Sequence, residues 1–70
     1  MSSDGLNALT HKEIEVLDLV ALGHTNDQIA GKLFISETTV RTHLRSVNLK
    51  FHTSSRTQAV ATARRLGFIR

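Results

Sequence analysis

The residues best suited to chemistry in this sequence are Arg41 and Arg45, with Thr38 and Thr42 beside them. A guanidinium is a planar fork of donors that fits two neighbouring acceptors, such as guanine O6 and N7. A threonine methyl matches the methyl of thymine. On a helix at about 100° per residue, with Val40 at zero, Arg41, Arg45, Thr38 and Thr42 fall at about 100°, 140°, 160° and 200°. Val40, Leu44, Val47 and Phe51 stay within about 60° of one another, on the opposite side. The spacing therefore predicts a positive polar face, free of acids, backed by an apolar stripe. A plain solvent-facing surface is the alternative, although such surfaces usually mix both signs.

Other chemistry finds little support. His11, His24, His43 and His52 have no metal-ligand spacing and no cysteine near them. His43 reads as a packed, hydrogen-bonded histidine. There is no cysteine in the chain, which excludes disulfides, thiolate catalysis and cysteine-based zinc sites. Phosphate-binding glycine loops and nucleophile motifs are missing. The expectation is a binding domain: no enzyme, no cofactor, no metal and no small-molecule ligand.

Several further residues are placed to hold a phosphate backbone. Thr38 and Thr39 open the arginine-bearing helix, Lys50 closes it, and Arg56 begins the next one. Asn26 starts another helix, whose terminal amides and dipole favour an anion. Leu49, at about 180° on the same wheel, is an apolar residue on the outward face with no evident role.

The elements that must position these residues read as four helices. Thr10 with Glu13, and Thr25 with Gln28, each fit a capping box. Leu9 and Ile14 add a hydrophobic staple to the first. The first helix is expected to run to about Leu22, burying Ile14, Leu17, Val20 and Ala21, with Gly23 stopping it. A short second helix buries Ile29, Ala30 and Leu33. Ser36 caps a third, with Glu37 in its first turn, reaching Lys50 or Phe51. Ser55 opens a fourth, which buries Ala59, Ala63 and Leu66 and ends at Gly67. Only Phe34, Ile35 and Ser36 separate the second and third helices, the spacing of a helix-turn-helix.

Seventy residues allow one small core. Residues 1–7 read as a flexible remnant or linker, and residues 8–70 as a single all-α domain. Residues 1–35 carry two basic and five acidic residues, net −3; residues 36–70 carry seven basic and one acidic, net +6. A basic half suits a polyanion such as nucleic acid. Apolar runs are too short to cross a membrane, and the N-terminus lacks the pattern of a signal peptide.

The motifs Leu9-Thr10 with Glu13, Glu15-Val16-Leu17, Gly23-His24-Thr25-Asn26, Gln28-Ile29-Ala30, Ile35-Ser36, Thr39-Val40-Arg41-Thr42-His43-Leu44 and Ser55-Arg56-Thr57-Gln58-Ala59-Val60 occur in order. In them the sequence resembles the LuxR-type helix-turn-helix family (FixJ, NarL and GerE-like domains), over residues 9–66. The resemblance implies the DNA-binding domain of a bacterial, cytoplasmic transcription regulator. Its third helix would enter the major groove of double-stranded DNA, with Arg41, Thr42 and Arg45 facing bases. Its fourth helix would support a homodimer on an inverted-repeat operator, and RNA polymerase would be a candidate further partner. The sequence departs from the family at Phe51-His52, where Leu-Gly is usual, so His52 must take a left-handed conformation. It departs again at Leu49, usually polar or basic. A protein–protein module on the same helices is the alternative, supported by these two departures.

Overall fold

A computed structural model describes residues 9–70. The expectation for residues 1–7 lies outside the described residues. Four helices follow in order: α1 (His11–Ala21), α2 (Asn26–Leu33), α3 (Glu37–Phe51) and α4 (Arg56–Leu66). Every one is opened by a hydroxyl residue in extended conformation whose side chain accepts an amide of the first turn: Thr10, Thr25, Ser36 and Ser55. Both capping boxes form. The Thr10 amide donates to Glu13 Oε1 at 2.8 Å and the Glu13 amide to Thr10 Oγ1 at 3.1 Å.

The helices end by reversing the chain through left-handed residues. Gly23 and Gly67 supply this conformation, with φ of 95° and 86°. Phe34 and His52 adopt it with φ of 58° despite their side chains. The strained His52 turn foreseen at the end of α3 is therefore present, and its amide donates to the Asn48 carbonyl. Substituting Gly at His52 removes the clash between Cβ and backbone, partly offset by greater freedom of the unfolded chain. His52→Gly is expected to stabilise the domain by about 0.5–1 kcal/mol, a rise in Tm of a few degrees by thermal unfolding. An unchanged or lower Tm would show that His52 makes compensating contacts.

The four helices share one core. Val16, Leu17, Ile29, Val40, Val47, Ala59 and Ala63 are fully buried within it. α3 packs against all three other helices, and α1 does likewise. Three expectations about burial change. α1 ends at Ala21, with Leu22 as its cap, and Val16 joins Leu17 on its buried face while Ile14, Val20 and Ala21 are only partly covered. In α2, Leu33 is likewise only half-buried. Leu66 is 54% exposed, not buried. After Gly67 the chain folds back, with the Phe68 amide donating to the Ala63 carbonyl at 2.9 Å. That reversal buries Ile69 and sets Phe68 against Phe51, ring centroids 6.0 Å apart.

One buried charge ties the frame together. Glu13 is 3% exposed, and its Oε1 also accepts from Lys50 Nζ at 2.8 Å. Burial pushes its carboxyl pKa up. Hydrogen bonds from Lys50, the Thr10 amide and Ser46, with the Lys50 charge, outweigh this and hold it below the ordinary 4.5. The pair fixes the start of α1 to the end of α3.

Candidate nucleic-acid interface

The second and third helices meet across the three residues Phe34, Ile35 and Ser36, and Ile29, Ala30 and Val40 from the two helices enter the same core. Ala30 is 8% exposed, and its small side chain admits the neighbouring helix. Because Val40, Leu44 and Val47 are buried, the opposite side of α3 must face outward. Thr38, Arg41, Thr42, Arg45 and Leu49 are all exposed there.

Local hydrogen bonds orient this face. Ser36 Oγ accepts the Thr39 amide at 3.0 Å and lies 2.9 Å from Thr39 Oγ1, so the Thr39 hydroxyl sits at the helix start. Thr42 Oγ1 donates to the Thr38 carbonyl at 3.0 Å. That bond holds the Thr42 hydroxyl against its own helix. The face is not free of acids, however. Arg41 Nη2 lies 3.7 Å from Glu37 Oε1, one turn earlier. Both side chains are about half exposed, so the pair is weak and readily exchanged for another anion.

The expected backbone-contact residues are distributed unevenly. Arg56 reaches the concavity of about 410 Å³ that Arg41, Arg45, Leu49 and Ser55 also line. Thr38 and Thr39 flank the start of α3. Asn26 opens α2, but its Oδ1 is buried without a hydrogen-bond partner, and Thr25 does the capping. The backbone amides at that terminus are suited to an anion, and exposed Asp27 in the same turn opposes one. Lys50 is occupied by Glu13 and 21% exposed. That structural role went unseen in the sequence because its two partners lie 37 residues apart.

Among the described residues no group of histidines, cysteines and carboxylates is placed to hold a metal ion. No described helix is long and apolar enough to cross a membrane.

Comparison with known proteins agrees with this arrangement. The "Probable csgAB operon transcriptional regulatory protein" of Salmonella typhimurium is 49% identical over 55 residues, which is 79% of this chain and 26% of that protein. The "HTH-type transcriptional regulator MalT" of Yersinia enterocolitica is 45% identical over 58 residues, covering 83% of this chain and 6% of the relative. The chain thus spans about a quarter or less of the length of these relatives. Among solved structures, "Structure of Transcription factor, GerE" superposes with a TM-score of 0.86 at 35% identity, over 89% of this chain and 92% of that one. A family profile described as GerE, "Bacterial regulatory proteins, luxR family", matches residues 7–63. With that match, and with the helix pair and outward arginines in place, the chain belongs to the luxR family of bacterial regulatory proteins.

Proposed function

We propose that this domain binds duplex DNA sequence-specifically as part of a transcription regulator. α3 lies in the major groove with Arg41, Thr42 and Arg45 towards base edges. Thr38, Thr39, Arg56, Lys50 and the α2 terminus at Asn26 meet phosphates. The observation that carries this reading is the exposed Arg41–Thr42–Arg45 surface, set opposite the buried Val40, Leu44 and Val47 of a helix-turn-helix. The transcription-regulator names of the relatives support it.

A homodimer through α4 is supported by exposed Ala61, Arg64, Arg65 and Leu66 on that helix. It would place two copies on an inverted repeat. RNA polymerase is a suitable protein partner for such a complex, and the cytoplasm is where a bacterial regulator meets DNA.

Salt dependence tests the reading. Two to four cation–phosphate contacts per domain give log Kd a slope of about 2 to 4 against log salt concentration. Fluorescence anisotropy on a short labelled duplex, over several salt concentrations, reads that slope. Weak binding independent of salt would favour a protein–protein module instead.

A further inference from the structure

Leu49 is 72% exposed on the last turns of α3, so it contributes little to the core. It continues the row Thr38, Thr42, Arg45 and Leu49, spaced four, three and four residues apart, which forms one stripe on a helix. It also lines the same concavity as Arg41, Arg45 and Arg56. Among the described residues, the other large exposed apolar side chains, Leu22, Phe34 and Leu66, lie at the ends of other helices. Leu49 is therefore the apolar member of an otherwise polar, cationic face.

In the major groove the base edges offer donors, acceptors and one apolar group, the C5-methyl of thymine. An aliphatic side chain on the reading face has that group as its complement. We infer that Leu49 is a specificity-determining residue that packs against a thymine methyl. This inference rests on the DNA-binding reading above. Four residues of helix advance about 6 Å, and base pairs advance about 3.4 Å, so the thymine lies about two base pairs from the one read by Arg45. α3 must then follow the groove along the span from Thr38 to Leu49, because an end-on helix would hold Leu49 clear of the bases.

The test uses duplexes selected from a random pool by the wild-type domain. Each thymine in the selected site is replaced in turn by deoxyuridine, which lacks only the methyl. At one position per half-site, about two base pairs from an Arg45-dependent guanine, the substitution is expected to weaken wild-type binding about four-fold. Leu49→Ala is expected to weaken binding to the thymine duplex about five- to ten-fold and to be indifferent to uracil at that position. Thymines facing Thr42 keep their effect in this variant. Its thermal stability stays near wild type, since an exposed side chain is removed.

If Leu49→Ala retains wild-type affinity and thymine–uracil discrimination while Arg45→Ala weakens binding, this inference is overturned and the DNA-binding reading stands. Loss of a protein partner by Leu49→Ala, with DNA affinity intact, overturns it equally. If the wild-type domain selects no duplex and its binding ignores salt, the underlying reading itself fails.

Discussion

Replacing Glu13 by Ala is expected to destabilise the domain by about 2–4 kcal/mol, measured by denaturant unfolding. The variant loses an acceptor for the Thr10 amide and leaves Lys50 without its 2.8 Å partner. Breaking a fully buried pair costs more, but Lys50 keeps some exposure and can be partly hydrated. A domain of this length has a total stability of about 4–10 kcal/mol, so roughly a fifth or more of it is at stake. Glu13→Gln keeps the volume and an acceptor, and should cost less. A loss below about 0.5 kcal/mol in Glu13→Ala would mean that the capping box and ion pair contribute little.

The same carboxylate sets a pH dependence. Its pKa in the folded protein lies below the ordinary 4.5, so the unfolded chain takes up this proton first as pH falls. Its stabilising contribution is complete at pH well above 4.5 and declines as pH drops through 4.5 towards the lowered folded value. Glu13→Gln should flatten that part of the stability profile. An identical acid limb in wild type and variant would assign the acid sensitivity to other carboxylates.

If Arg45 contacts a base as proposed, Arg45→Ala is expected to cost about 1–3 kcal/mol on a selected duplex and far less on unrelated DNA. Arg45→Lys should recover little discrimination, since an ammonium lacks the two-pronged geometry. Equal losses on all sequences would make Arg45 a phosphate contact instead. Arg41 should show a smaller net effect, because its guanidinium gives up Glu37 before binding a base. Glu37→Gln is a useful companion: removing an acid beside the reading face should strengthen binding to any duplex.

The parts of the fold that were legible in the sequence are those decided within a few residues. Thr10 with Glu13, Thr25 with Gln28, Ser36 and Ser55 act as caps because each bonds an amide three residues ahead. The left-handed turn at His52 was legible only through the resemblance to a family that usually has Gly at that position. The outward position of Arg41, Thr42 and Arg45 followed from helical spacing alone. Contacts between distant residues were not legible. Nothing near Glu13 announces Lys50, and nothing near Leu66 shows that Ile69 takes its place in the core. The Glu37–Arg41 contact escaped for another reason. A helical wheel places Cα atoms, whereas a long guanidinium reaches sideways to an acid at the i,i+4 position.

The residues proposed to meet phosphates divide along the same line. Arg56 shares a concavity with Arg41 and Arg45 because the turn after His52 brings the start of α4 beside α3. Lys50 and Asn26 occupy helix ends suited to phosphate by sequence position, yet one is drawn to Glu13 and the other turns its carbonyl inward. Both depend on which side of a helix meets its neighbour, which spacing on a single helix does not decide.

That α3 reads duplex DNA is tested most directly by an amide-resolved NMR titration with a short duplex, at low and then moderate salt. Shifts should concentrate at residues 38–45, with flanking changes at Lys50 and Arg56, and should weaken as salt rises. Perturbation confined to α1 and α4 and insensitive to salt would contradict it, and would point to a protein partner.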